Sequence, residues 1–214
     1  MTTLYLDIET LPAAWEDEQI DAHAAASVPG NYTKPESIAK WIEEHRMEQW
    51  LRTALDWRYA RICCIGVIVE IGHDVQERTV IMLDEHGERK MLGELDAILV
   101  QYAPDTIVGH NIVGFDLPRL HIAAARNGVP ALARRLSEYR GHRHAVQDTM
   151  RLAMGAERCR LGDLATALGL DGKSGDGSQV WDMWLSGSRD EIAAYCLQDV
   201  EVTRAVYRAL VGAA

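Results

Sequence analysis

The spacing of apolar residues predicts three strands in the first part of the chain. We place them near residues 3–8, 62–70 and 77–84. The first strand alternates apolar with other side chains, as a strand with one face in a core does. The second is rich in Ile and Val, which favour strands. Early strands joined by short turns predict an antiparallel meander.

Beyond Gly87 the apolar positions change to helical spacing, and short strands then alternate with helices. Strands are predicted at 106–110 and 144–148, and helices at 116–127, 149–155, 161–169 and 189–211. A strand followed by a helix and another strand makes a crossover connection. The order predicts an α/β fold with a ribonuclease H-like mixed five-stranded sheet, in which an antiparallel meander is extended by crossover strands and flanked by helices.

A segment of different character, residues 13–60, interrupts the first hairpin. We predict a single domain over residues 1–214 that carries this segment as a helical and loop insertion, with Ser37 as a helix cap. The insertion contains three tryptophans, Trp41, Trp50 and Trp57. We expect these side chains to anchor the inserted helix to the core; stacking on bases is the alternative.

Composition restricts the functional classes. Of the 214 residues, 48% are hydrophobic, which suits one well-buried domain. No apolar run approaches the ~18 residues that span a bilayer. We therefore expect a soluble, cytoplasmic protein without a membrane partner.

Acidic residues outnumber basic ones, 32 to 22, and the net charge is −10. Tight non-specific binding of nucleic acid over the whole surface is therefore disfavoured, and any contact with phosphates must be local. One basic segment is a candidate for such contacts, with a solvated helix end as the alternative. It contains Arg134, Arg135, Arg140, His142, Arg143 and His144.

The cysteines have no CxxC spacing and lie in apolar stretches. This pattern predicts buried, reduced thiols and disfavours a zinc site or a disulfide framework. The residues are Cys63, Cys64, Cys159 and Cys196. The glycine-rich stretch at 171–178 lacks the spacing of a phosphate-binding loop, and we interpret it as a surface loop.

Four carboxylates in three separated segments are the candidates for chemistry. Asp7 and Glu9 are two apart in the first predicted strand, so both side chains leave the same face of the sheet. Such a pair at the end of an apolar strand is costly unless cations neutralise it. Asp116 begins a predicted helix, where capping is the alternative role. Asp199 follows Tyr195 by one helical turn, so phenol and carboxylate share one helix face.

These segments carry a resemblance to a known family. DIET, then N-x-x-x-F-D from Asn111 to Asp116, then Y-x-x-x-D from Tyr195 to Asp199, resemble the three exonuclease motifs of the DEDD superfamily in order. The tyrosine stands where the sister branch has a histidine. The motifs are most similar to the proofreading exonuclease domains of family B DNA polymerases, and the chain resembles the stand-alone PolB-like predicted 3′–5′ exonucleases. The 13–60 insertion departs from that pattern.

The resemblance implies a role for each acid. Asp7, Glu9, Asp116 and Asp199 would hold two divalent cations, Mg²⁺ or Mn²⁺, because hard ions prefer oxygen ligands. Tyr195 would orient or help deprotonate the attacking water. These five residues are the predicted catalytic set.

The resemblance also implies substrate contacts. Thr10 and Leu11 would meet the terminal nucleotide, through the backbone and as an apolar wedge respectively. Asn111 and Phe115 would help to hold the frayed strand. The alternatives are that Leu11 and Phe115 belong to the core and that Asn111 forms a turn.

Two neighbouring polar residues are expected to be structural. His110 is predicted to be a packed or hydrogen-bonded histidine rather than a ligand. Asp148 is predicted to cap a helix rather than to act as a fifth metal ligand.

The leading hypothesis is a divalent-metal-dependent 3′–5′ exonuclease that releases nucleoside monophosphates from single-stranded DNA ends by a two-metal mechanism. The sequence does not identify a protein partner in replication or repair. An RNA-directed exonuclease of the same superfamily is the nearest alternative, because the motifs do not show recognition of the 2′-hydroxyl. A catalytically weak module that binds nucleic acid or a protein partner is the other.

Overall fold

The structure, a computed structural model, describes residues 1–142, 145–172 and 177–212. Arg143 and His144 of the basic segment, and residues 173–176 of the glycine-rich stretch, lie outside these ranges. The chain divides into two compact units. The first unit consists of Met1–Glu9 and Ile62–Ala214, and the second of Thr10–Arg61.

A mixed five-stranded sheet forms the centre of the first unit. Its strands are β1 (Thr2–Leu11), β2 (Arg61–Ile71), β3 (Asp74–Met82), β4 (Thr106–Gly109) and β5 (Val146–Asp148), in the order β3-β2-β1-β4-β5. β2 and β3 are antiparallel, whereas β1 and β4, and β4 and β5, are parallel. The predicted mixed sheet of five strands is confirmed.

The described ranges contain nine α-helices. They are α1 (Asp17–Ala26), α2 (Pro35–Leu51), α3 (Gly87–Tyr102), α4 (Asp116–Arg126), α5 (Pro130–Gly141), α6 (Thr149–Met154), α7 (Leu161–Ala167), α8 (Val180–Leu185) and α9 (Arg189–Val211). The four helices predicted from residue 116 onward correspond to α4, α6, α7 and α9. None of the helices in these ranges combines the length and the apolar character needed to cross a membrane.

The side chains of β1 alternate between the two faces of the sheet. Leu4, Leu6 and Ile8 are buried in the main core together with apolar side chains of α3, α4 and α5. Tyr5 lies on the other face, where it clusters with Val200 of α9. Because strand side chains repeat every second residue, Asp7 and Glu9 share the face of Tyr5. The acid pair therefore lies on the side of the sheet that α9 covers.

A buried ion cluster attaches α9 to the sheet. Glu70 of β2 is 4% exposed and accepts hydrogen bonds from the Tyr5 hydroxyl, at 2.9 Å, and from Nε of Arg204, at 2.5 Å. Arg208 lies 3.6 Å from the same carboxylate. Burial, together with the Glu70 carboxylate, raises the pKa of Tyr5, so its hydroxyl stays a donor. Removing one partner of such a cluster would leave the other buried charge uncompensated.

The last helix also passes close to β2 at Gly66. A Cβ atom there would lie 2.9 Å from Cγ2 of Val200 and 3.0 Å from Sγ of Cys196. Non-bonded carbon atoms normally lie ~3.5–4.0 Å apart, so a larger residue would push the helix outward. The position of Asp199, on the same helix, therefore depends on this glycine.

The second unit has a small core of its own. Trp41 and Trp50 of α2 are only 7% and 8% exposed, and the indole N–H of Trp50 donates to the carbonyl of Ala13 at 2.9 Å. These two tryptophans are thus buried, whereas Trp57 is 54% exposed. Anchoring of the insertion to the main core stays a prediction.

The predicted cap at Ser37 is wrong. Helix α2 begins at Pro35, with Lys34 in the N-cap position. A proline lacks the N–H that would go unpaired in a first helical turn, and its fixed φ is already helical. The proline, and not the serine two residues later, therefore starts this helix.

We expect Gly66→Ala to lower the free energy of unfolding by about 1–3 kcal/mol, the usual cost of overpacking a core. Gly93→Ala is the matched control, because Gly93 is an exposed α3 residue whose added Cβ would meet no atom within 4 Å. That change should leave stability unchanged or raise it by about 0.5–1 kcal/mol. Chemical denaturation measures both variants, and equal stability of the two would contradict the close approach of α9 to β2.

Candidate active site

Three potential ligand side chains meet where β1 passes beneath α9. Asp7, Glu9 and Cys196 each offer a ligand atom, and these atoms all lie within 4.8 Å of one another. The pair on β1 was predicted from its spacing, whereas the thiol comes from α9 and was not. Its spacing could have indicated this position, since Cys196 lies three residues before Asp199 and residues three apart are neighbours on a helix surface.

The thiol of Cys196 acts as a donor to Asp7. Its Sγ lies 3.6 Å from the Asp7 carbonyl oxygen and 3.9 Å from Oδ2 of the same residue. A hydrogen bond with Cys64 and complete burial raise the pKa of Cys196, which keeps the thiol neutral. The oxygen ligands of this cluster are those of the two carboxylates, and hard divalent ions prefer such oxygens.

Asp116 is bonded to the centre of β1. The ladder between β1 and β4 ends at Tyr5 and Val108, and beyond it the N–H of Ile8 donates to Oδ1 of Asp116 at 3.1 Å. Because Ile8 lies between Asp7 and Glu9 in the sequence, this bond brings the Asp116 carboxylate to the backbone between the two acids. The alternative of helix capping is wrong, since α4 begins at Asp116 and Phe115 occupies the N-cap position.

Burial disfavours the charged form of Asp116. Burial raises the pKa of Asp116 from its ordinary 3.8 to about 7, and the carboxylate of Asp148 adds to the rise. Backbone N–H groups, including that of Ile8, and the guanidinium of Arg119 act in the opposite direction. A cation nearby would favour the charged form. A buried carboxyl of this kind, bonded beside two further acids, therefore fits a divalent ion.

A cavity of about 830 Å³ borders the acids. Asp7 and Asp199 both line it, and Asp199 is 4% exposed. Tyr195, one turn earlier on α9, is 7% exposed. An added Cβ at Gly177 would lie 3.7 Å from the Tyr195 hydroxyl, so the described end of the glycine-rich stretch lies close to this tyrosine.

The loop between β4 and α4 is held by Asp148. Oδ1 and Oδ2 of this buried carboxylate accept the N–H groups of Asn111, at 2.9 Å, and Val113, at 3.2 Å. Asp148 also accepts from the N–H groups of Met150 and Arg151, so its predicted role as a helix cap is confirmed. Asn111 has a φ of 55°, a left-handed conformation that asparagine adopts more readily than most residues. Asn111 therefore does form a turn.

His110 is hydrogen-bonded at both ring nitrogens, as predicted. Nδ1 lies 2.9 Å from Oγ1 of Thr149 and Nε2 lies 3.0 Å from the carbonyl oxygen of Cys159. A carbonyl oxygen can only accept, so Nε2 carries the hydrogen. The ring connects β4 to the segment before α7.

The remaining predicted substrate residues make contacts within the protein. The hydroxyl of Thr10 donates to the carbonyl of Ala54 at 2.7 Å, and Leu11 is completely buried. The ring of Phe115 lies 3.6 Å from the guanidinium carbon of Arg119, in a cation–π contact. Their contacts with a nucleotide stay predictions, as does that of Asn111.

The basic segment lies elsewhere. Arg135 pairs with Asp96 at 3.0 Å, and Arg140 and His142 line a second cavity of about 410 Å³. None of the segment's described residues lines the cavity of Asp7 and Asp199. The guanidinium groups that do so belong to Arg158 and Arg160, which sequence reasoning missed.

In a solution without divalent ions, the raised pKa of Asp116 predicts that the stability of the fold depends on pH. Between pH 4 and about 7 the folded protein binds more protons than the unfolded chain at this group, so the stability that Asp116 contributes falls as the pH rises through this window. Asp116→Asn, whose amide oxygen can still accept from Ile8, should reduce the fall. Thermal melting of both proteins at several pH values, in the presence of a chelator, tests this; parallel curves would contradict it. Mn²⁺ should raise the melting temperature of the wild-type protein increasingly with pH.

Comparison with known proteins agrees with the fold and the motifs. A family B DNA polymerase from the hyperthermophilic archaeon Pyrobaculum calidifontis shares the fold, with a TM-score of 0.65 and 20% sequence identity. The match covers 99% of this chain but only 24% of the polymerase. The predicted ribonuclease H-like α/β fold is therefore confirmed. No curated protein matches the sequence.

A family model provides the closer assignment. It describes predicted 3′–5′ exonucleases related to the exonuclease domain of PolB, and it matches residues 50–211. The match contains two of the three motifs, those that end at Asp116 and Asp199, and it confirms the resemblance seen in the sequence. The chain belongs to this family of predicted 3′–5′ exonucleases.

Proposed function

We propose that this chain is a divalent-metal-dependent exonuclease that removes nucleoside monophosphates from the 3′ ends of single-stranded DNA. One observation carries the proposal. Asp7 and Asp199, from the first strand and the last helix, line one cavity, and the acids Glu9 and Asp116 are held beside Asp7 by strand spacing and by the Ile8 bond.

Asp7, Glu9, Asp116 and Asp199 would hold the ions. Divalent ions bound there would supply the charge that activates a water for attack and stabilises the leaving 3′ oxygen. The protein's own contribution is to hold four carboxylates in place before substrate arrives. Oδ1 of Asp116 accepts from a backbone N–H, and Oδ2 of Asp7 lies 3.9 Å from the thiol of Cys196.

Tyr195 would position the attacking water. An unperturbed phenol has a pKa of about 10, so it is a poor base at neutral pH. Its hydroxyl can instead donate to and accept from a water, which fixes the direction of attack. If Tyr195 has this role, Tyr195→Phe should lower the cleavage rate less than removal of a carboxylate does.

The decisive test is degradation of 5′-labelled DNA and RNA strands of equal sequence with Mg²⁺ or Mn²⁺. We expect DNA to shorten one nucleotide at a time from its 3′ end. Asp7→Asn should reduce the rate by about 100- to 1,000-fold, a loss typical of removing a transition-state-stabilising group. Tyr195→Phe should cost less than that.

Asp74→Asn is the matched control, because it makes the same substitution at an exposed residue of the edge strand β3. This variant should keep wild-type activity. Equal activity of the Asp7→Asn and wild-type proteins would assign the nuclease to a contaminant. Activity on RNA but not on DNA would replace the proposed substrate, and no activity on either strand would reject the function.

A further inference from the structure

We propose that Arg158 and Arg160 bind the phosphodiester backbone of the substrate on the 5′ side of the bond that is cut. The inference rests on the proposed exonuclease function and extends the site from one terminal nucleotide to a strand. Neither arginine belongs to an exonuclease motif or to the basic segment.

Both residues share a cavity with two of the proposed catalytic acids. Arg158 and Arg160 line the 830 Å³ space that Asp7 and Asp199 also line. This volume is within the range of ~300–1,000 Å³ that ligand pockets occupy. A strand that brings its scissile phosphate to Asp7 and Asp199 through this cavity would bring the preceding phosphates into the space that the guanidinium groups line.

The backbone presents the two arginines together. Residues 158–160 are neither helix nor strand, and Arg160, which precedes α7, has extended dihedrals of φ −81° and ψ 148°. Arg158 and Arg160 line the cavity together with Cys159, the residue between them. The carbonyl between them, that of Cys159, accepts from Nε2 of His110 at 3.0 Å. The segment is thus fixed through its backbone, and the guanidinium groups are not used to hold it.

The guanidinium groups are available for a ligand. Both arginines are exposed, and neither pairs with a carboxylate in the part of the chain that the structure describes. By contrast, Arg135 of the basic segment is committed to Asp96. Arginine presents a planar fork of donors that matches phosphate oxygens.

The acidic residues that line the cavity explain why positively charged side chains are needed there to bind a nucleic-acid strand. Asp7, Asp199 and Asp163 line it, and the protein as a whole carries a net charge of −10. A polyanionic strand is repelled by such a site unless positive charge lies along its path. Divalent ions would neutralise the acids at the scissile phosphate. Arg158 and Arg160 supply the positive charge for the phosphates that precede it.

The test measures binding of a fluorescent single strand of eight nucleotides as a function of salt, with Ca²⁺ to limit hydrolysis. We expect the double variant Arg158→Ala/Arg160→Ala to bind at least tenfold more weakly at low salt. The slope of log K against log salt should become shallower by about 1.4, because each phosphate contact on a single strand contributes about 0.7. The double lysine variant should recover most of the slope, and in cleavage assays the alanine variant should raise KM more than it lowers kcat.

Arg134→Ala is the matched control. Arg134 is exposed on α5, and it does not line the cavity. Its variant should bind within twofold of wild type, and thermal melting checks that every variant is folded. DNA and RNA strands should lose affinity alike, since they share the phosphodiester backbone.

Three results would overturn the assignment: an unchanged affinity and slope in the double alanine variant, an equal loss in Arg134→Ala, or no binding of single strands by the wild-type protein. Cleavage reports separately on the proposed function. Arginine-dependent binding without cleavage by the wild-type protein would reject the exonuclease alone. Cleavage with arginine-independent binding would reject the role of Arg158 and Arg160 alone.

Discussion

The hydrogen bond from the backbone N–H of Ile8 to the carboxylate of Asp116 joins the two halves of the acid cluster. Strand β4 ends beside Tyr5, so β1 continues without its parallel neighbour, and a side chain from the next helix takes up the exposed donor. The carboxyl of Asp116 is therefore buried, and burial raises its pKa. The site thus forms where β1 extends beyond its ladder with β4. A cation near Asp116 would offset the cost of burying its charge.

The last helix supplies the other side of the site, and its position is set by contacts away from the acids. Gly66 allows close approach to β2, while Glu70, bonded to Tyr5 and Arg204, fixes the helix against the sheet. A rigid attachment matters because electrostatic stabilisation requires charged groups that are already in place. The packing of α9 therefore decides how far Asp199 lies from β1, although none of these anchoring residues touches the cavity.

The cavity is lined by both carboxylates and guanidinium groups, which suit different ligands. Carboxylates on β1 and α9 are suited to cations, and the arginines before α7 are suited to phosphates. His110 connects the two regions, since it adjoins the loop that Asp148 holds and bonds to the carbonyl between Arg158 and Arg160. An acidic protein can in this way bind a polyanion locally while the rest of its surface repels one.

The sequence alone determined the five strands, the mixed sheet, the helices α3, α4, α6, α7 and α9 and the motif acids, because hydrophobic period and i, i+2 or i, i+4 spacing are local properties. It also identified Asp148 as a cap. It did not show that Cys196 contacts Asp7 or that Asp116 bonds to Ile8. Nor did it show that Arg158 and Arg160, and not the described residues of the longer basic segment, line the cavity of Asp7 and Asp199. Those contacts join residues far apart in the chain. Only the packing of α9, α4 and the segment before α7 on the sheet decides which distant side chains meet.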